Sequence, residues 1–273
     1  MMIFSRQIQW TLLVIKFINL PTWIPFSAVV AIPTLTFYGL STWVCHNQSK
    51  GIYPFTTDIG RDIIGYFIPI VGLLLVFILL SCWEDTKNAQ LDLVDEAQKL
   101  IVISRLIEQF PFVNRQSVHD VLIEYIDITV AKEWPAMIEG QTQPFTRPVV
   151  LKLYGILADI EATTPRQVEM YGNIIPILDK LVELRNRRLA PAAGTLPQIM
   201  WLVILFISTL SMAGLVFFPP DNADNYPALI AILTLIFSML IYVIIILQYP
   251  YSGEVRVEPT LLQQARAIII QEQ

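Results

Sequence analysis

Along this chain, long runs without charge alternate with one extended stretch in which apolar residues recur every three or four positions. Ile63 to Trp83 reads IIGYFIPIVGLLLVFILLSCW, with no charged residue. Pro197 to Pro219 and Pro227 to Gln248 are equally clean. Each matches the roughly 20 apolar residues that a helix needs to cross the hydrocarbon of a bilayer. Nearer the start, Lys16 is the only charge between Ile8 and Cys45, a run too long for one straight crossing. Pro21 and Pro25 interrupt it, and proline breaks or kinks a helix. The pattern predicts an interfacial helix from Gln7 to Leu20, then a first span from Trp23 to Cys45 with a kink at Pro33. A cleaved leader competes for the first segment, but Lys16 divides the apolar run and no small-x-small cleavage site follows.

Between the second and third spans the pattern becomes that of amphipathic helices. Leu93, Ala97, Leu100, Ser104 and Ile107 share one face at steps of three or four. The second span is free to run on into this helix as a single rod. Val118, Val121, Leu122, Tyr125 and Ile126 make another stripe after Ser117. A third helix is expected from Arg147 to Ala162. A fourth starts at Thr164, with Pro165 at its first position as helix starts favour, and ends near Leu189. No alternation of β-branched residues predicts a strand. The expected organisation is an interfacial helix in 1–22, two spans in 23–83, a helical domain in 84–196, two spans in 197–248 and a tail in 249–273.

Composition agrees. Of 273 residues, 55% are hydrophobic and 15% charged, against about 25% charged in an ordinary soluble domain. One soluble core of this length could not bury so much apolar surface, so the bilayer is the expected partner. Basic residues set the orientation. Twelve of the 18 Lys and Arg lie between the second and third spans, whereas FFPPDNADNYP, between the third and fourth, has none. Both termini and the middle segment are therefore expected in the cytoplasm. The net charge of −5, without a basic stripe, argues against a nucleic-acid partner. Cys45 and Cys82 fall at opposite faces of the bilayer and read as free thiols.

Candidate chemistry is sparse. There is no phosphate-binding glycine loop and no Gly-x-Ser-x-Gly elbow. His46 and His119 fall on opposite sides of the membrane and cannot share a metal. Glu84, Asp85, Asp92, Asp95 and Glu96 read as one wet helix face. No enzyme activity, cofactor or metal is expected. Arg185, Arg187 and Arg188 read either as anchors for anionic lipid headgroups or as a cationic ring at a cytoplasmic vestibule. Trp134 before Pro135 reads as a helix end, because the residue preceding proline avoids the helical region. Trp201 reads as an interfacial indole and Gly253 as a tight turn.

Several local patterns together resemble the bacterial bestrophin-like membrane proteins. They are Tyr125, Val130 and Glu133-Trp134-Pro135 ending at Gly140; Leu184-Arg185-x-Arg187-Arg188-Leu189; Leu196-Pro197-x-x-Met200-Trp201; and Pro250-Tyr251-Ser252-Gly253-Glu254-Val255-x-Val257-x-Pro259. The resemblance implies an all-α integral membrane protein with four transmembrane helices and a helical cytoplasmic domain inserted between the second and third. Bestrophins are pentameric anion channels whose second span lines a hydrophobic neck. Here Ile68-Pro69-Ile70 opens a run similar to that span, and the resemblance implies Ile68, Gly72 and Val76 as pore-lining. The implied assembly is a closed homo-oligomer, a pentamer, passing an inorganic anion such as chloride across a bacterial inner membrane. The acidic calcium clasp of bestrophins is not matched: the tail offers only Glu254, Glu258 and Glu272. Two other functions remain open. A non-conducting scaffold or signalling protein predicts a close-packed apolar bundle, and a small-solute transporter predicts a mid-membrane pocket with broken helices.

Overall fold

A computed structural model describes residues 11–50, 58–220 and 225–271. The first residues of the expected interfacial helix, Asp221, Asp224 and Glu272 lie outside them. Every regular element among the described residues is helical. Residues 11–18 form α1. α2 comprises Trp23–Phe26, a π-turn at Ser27–Ala31 and Ile32–Ser49. α3 runs unbroken over Asp58–Leu106. α4 comprises Phe112–Ile128, a second π-turn at Thr129–Glu133 and Trp134–Ile138. α5 is Arg147–Ala158, α6 Pro165–Leu189, α7 Gln198–Phe217, α8 Tyr226–Leu247 and α9 Thr260–Gln271. Among the described residues, four helices are long and apolar enough to cross a membrane: Trp23–Gln48, Asp62–Leu106, Gln198–Phe217 and Tyr226–Leu247.

The chain divides into two compact units, Met1–Glu84 with Thr195–Gln248 and Asp85–Gly194 with Tyr249–Gln273. In the first, α2 packs against α8 and α7. Val71, Leu75, Ile204, Met212, Phe237 and Ile244 are buried in its core. Among the described residues no Asp, Glu, Lys or Arg lies within its apolar spans. Several of its hydroxyls are instead absorbed by the helix backbone. Thr34, Thr42, Ser211 and Thr234 each donate to the carbonyl four residues earlier, at 2.7–2.9 Å. In hydrocarbon an unpaired polar group is costly, and this is the nearest available acceptor.

The second unit is built on the two stripes expected from periodicity. Leu93, Ala97, Leu100, Ser104 and Ile107 are all buried, as are Val118, Val121, Leu122, Tyr125 and Ile126. α6 starts after Thr164 as anticipated, and Thr164 also caps it: its side chain accepts from the Gln167 amide while the Gln167 side chain accepts from Thr164. α5 stops at Ala158 rather than Ala162. The cause lies just ahead, where Thr164 must be extended to cap and precede Pro165. The segment after α8 folds into this unit. α9 lies on α4, and Arg266 pairs with Asp127 at 2.6 Å.

Two expectations need correction. Trp134 does not end a helix; it is helical, with φ −62° and ψ −49°. The π-turn before it supplies the reason. The Trp134 amide bonds to the carbonyl of Thr129, five residues back. This shift relieves the clash and the missing donor that a proline brings to a helix. The same device recurs in α2, where the Ile32 amide bonds to Ser27 just before Pro33. The acidic run is also not one wet face. Glu96 is fully buried and Asp92 nearly so, whereas Glu84 and Asp95 are exposed. Glu96 lies three residues after Leu93 and four before Leu100, on the apolar stripe itself.

Candidate functional site

The stripe that buries Glu96 brings it to the centre of the helical unit, and the other charges there come from distant segments. On α6, buried Ile174, Leu178 and Leu181 continue at the same helical steps to Arg185 and Arg188. Both arginines are therefore turned inward, at 6% and 0% exposure, while Arg187 points out. Arg188 donates through Nε to Glu96 Oε2 at 2.8 Å and through Nη2 to Glu133 Oε2 at 2.9 Å. Glu96 Oε1 also accepts from the Tyr125 hydroxyl at 2.6 Å. Glu133 Oε1 accepts from both the amide and the hydroxyl of Thr146, at 2.8 and 2.6 Å. The Trp134 ring lies 5.7 Å from the guanidinium carbon of Arg188 and meets Tyr251 edge-on, with centroids 5.5 Å apart.

Both Glu133 and Trp134 are delivered by the π-turn of α4. A regular helix would rotate them out of register with Arg188. The electrostatics follow from burial. Burial disfavours the Arg188 charge, but Glu96, Tyr125 and Glu133 together hold its pKa well above the ordinary arginine value. Burial, and then the Glu96 carboxylate, push the Tyr125 phenol well up, so it stays a donor. Burial also raises Tyr251. All four carboxylate oxygens are used, which is the condition under which a buried ion network holds together. The arrangement has donors and acceptors committed to one another and no free nucleophile or base. It can fix geometry but not perform chemistry.

Of the expected cationic cluster, Arg188 is committed to this network. Arg185 is buried with Nε and Nη1 unpartnered, its Nη2 donating to Asn186 at 3.1 Å. Arg187 is half exposed and pairs with Asp92 at 3.1 Å. Burial raises the Asp92 carboxyl above its ordinary range, with Arg187 offsetting part of that. Among the remaining pattern residues, Pro197 precedes α7 in extended conformation and its carbonyl accepts from Met200. Trp201 is buried, its Nε1 donating to Gln248 Oε1 at 2.9 Å. The Pro250 carbonyl accepts from Val257 at 2.8 Å, closing a loop in which Gly253 takes φ 79°. His119 is a packing residue against Ser104, and no group of three His, Cys, Asp or Glu among the described residues could hold a metal.

On the second span, Ile68 and Gly72 are half-buried while Val76 is 39% exposed. Gly72 is turned toward α8: a Cβ there would sit 3.7 Å from the Phe237 ring. The most exposed stripe of this span is Tyr66, Ile70, Leu73, Phe77 and Leu80.

Solved structures share this architecture. A crystal structure of a bacterial bestrophin homolog from Klebsiella pneumoniae superposes with a TM-score of 0.68 at 12% identity, covering 89% of this chain and 98% of that one. Another structure of that homolog, phased with zinc, gives 0.69 at 11% identity over 89% and 97%. At such identity the likeness establishes a common fold. No curated protein matches in sequence. The pieces that suggested the resemblance, Tyr125, Glu133-Trp134, Arg188 and Tyr251, meet in one buried cluster. The bestrophin-like domain itself matches residues 36–262, most of the 273-residue chain, and the protein therefore belongs to the bestrophin-like family.

Proposed function

We propose that the protein is a homo-oligomeric channel of a bacterial inner membrane. It passes inorganic anions such as chloride through a neck lined by its second span. Both termini and the helical unit are in the cytoplasm, on the side where basic residues concentrate. The observation that carries the reading is the uncovered face of α3. Tyr66, Ile70, Leu73, Phe77 and Leu80 are exposed along its apolar part, and Leu91, Val94 and Val102 are exposed along its later part. Lipid can cover the first set. The second set belongs to the charged helical unit, where no acyl chain reaches, and further copies of the same chain are what cover it. A ring of copies, five by analogy with bestrophins, also supplies the pore that one subunit lacks. The neck follows the register that the resemblance implies, Ile68, Gly72 and Val76, with Val76 the exposed member and Gly72 facing α8 within the subunit; such an apolar constriction gates by dewetting. Arg187 is the basic side chain positioned to meet anions or headgroups.

Single-channel recording of the purified protein in planar bilayers under a chloride gradient tests this reading. The expected result is stepwise current reversing near the chloride equilibrium potential, with conductance changed by Val76→Ala. A change with Phe77→Ala alone turns the neck by one residue. Silence at verified insertion overturns the channel and leaves the scaffold reading.

A further inference from the structure

The four-span unit has a half-open cavity of about 280 Å³ between α2, α7 and α8. Its α2 wall includes Val29 and Pro33, from the π-turn and the proline after it. A π-turn widens the helix and often accompanies a functional site. The α7 and α8 walls present Ser208, Thr209, Met212, Thr234, Phe237 and Ser238. No ionisable residue lines the cavity.

Its hydroxyls are not equivalent. Thr234 donates to the Ile230 carbonyl at 2.8 Å, and outside the cavity Ser211, one helical step from Ser208, donates to Ile207 at 2.8 Å. Ser208 is 6% exposed, yet its Oγ has no partner. A buried hydroxyl left unpaired costs about 1–3 kcal/mol, so Ser208 is a hydrogen-bonding group waiting at a wall that also carries Thr209, Thr234 and Ser238. Ser41 Oγ is also unpartnered, but it does not line the cavity.

We propose that this cavity binds a neutral, mostly apolar molecule with one hydrogen-bonding group, of the medium-chain alcohol class, whose hydroxyl pairs with Ser208. Size, charge and polarity each narrow the occupant. A cavity of roughly 150 Å³ takes up benzene, so one near twice that volume suits a chain of about ten heavy atoms. A charged ligand would find no counter-charge in hydrocarbon. A pure alkane would leave Ser208 unpaired, and an alcohol satisfies it as donor or acceptor. The site is lined by α2, α7 and α8 and does not depend on whether the protein conducts.

Photolabelling of the full-length oligomer in nanodiscs, with a diazirine-bearing octanol and mass-spectrometric mapping, tests the site. Saturable labelling at Met212 or Phe237, displaced by 1-decanol and not by decane, is the expected result. Ser208→Ala should weaken decanol competition about fivefold, the loss of one hydrogen bond of about 1 kcal/mol. Val29→Phe should abolish labelling by filling the space. Labelling spread without saturation over lipid-facing positions overturns the proposal. Equal displacement by decane does so as well, because it removes the role of Ser208. The wild-type competition alone decides the matter if either variant fails to assemble.

Discussion

The two units of this chain solve the problem of buried polarity in opposite ways. The four-span unit keeps ions out of its apolar spans and ties several of its hydroxyls, Thr34, Thr42, Ser211 and Thr234, back to their own helices. The helical unit accepts two carboxylates and a guanidinium in its core and joins residues 92 and 55 positions apart to satisfy them. Local satisfaction tolerates loss, because removing one hydroxyl leaves no partner stranded. Reciprocal satisfaction does not. The difference predicts that the helical unit is the fragile one, and that its fragility is centred on Arg188.

Arg188→Leu offers the largest break. It strands Glu96 and Glu133 at zero exposure, and such a loss costs roughly 3–5 kcal/mol, a large part of a typical domain's stability. Thermal unfolding in detergent should show a fall in Tm of many degrees. Adding Glu96→Leu and Glu133→Leu should recover only part of it: the unmet charges are gone, but the Tyr125 hydroxyl and the Thr146 amide and hydroxyl lose their acceptors. A single Arg188→Leu within a degree of wild type would show that the network does not hold the unit together.

Glycines give a smaller contrast. Gly194, in the helical unit, takes φ 100°, and a Cβ there would come within 2.9 Å of the Tyr249 ring. Gly194→Ala should cost about 2 kcal/mol through backbone strain and that rigid neighbour. Gly214, in the four-span unit, would place a Cβ 2.9 Å from Ile64 Cδ1, the far end of a flexible side chain. Gly214→Ala should cost only about 1 kcal/mol. Comparable losses in the two variants, read by the same melting assay, would erase the distinction drawn here.

The smallest effect is a pH dependence. Burial and a hydrogen bond to Asp179 push the Tyr154 phenol up to about 12, against about 10 in the unfolded chain. Its contribution is intact below about pH 10 and is lost as pH rises through about 12. Tyr154→Phe should therefore flatten the alkaline fall of Tm. An identical slope in the variant would assign that fall to other groups, the buried Tyr125 and Tyr251 first.

The spans, the stripes of α3 and α4 and the start of α6 after Thr164 were legible because they depend on composition and spacing within one helix. The ion network was half legible. Glu96 sits on the apolar stripe, and Arg188 continues the stripe of Leu178 and Leu181, so each could have been marked as an inward charge. That they face each other depends on tertiary packing, which no local pattern encodes. The π-turns were not legible at all. A shift of one hydrogen bond leaves no signature in composition, and the rule for the residue before proline pointed the wrong way at Trp134. The proline two positions after each π-turn is the one signal that could have suggested it.

The network also dictates an order of assembly during synthesis. Glu96 and Glu133 leave the ribosome before Arg188, and Tyr251 follows only after the third and fourth spans have been made. Until Arg188 arrives, the two acids lack the cation that joins them, and the network of the helical unit is incomplete. Tyr251 then closes over Trp134 once the last span has emerged. Insertion of the final hairpin and sealing of the helical core are thus coupled by chain order, and a chain cut before Tyr251 would leave that core unsealed.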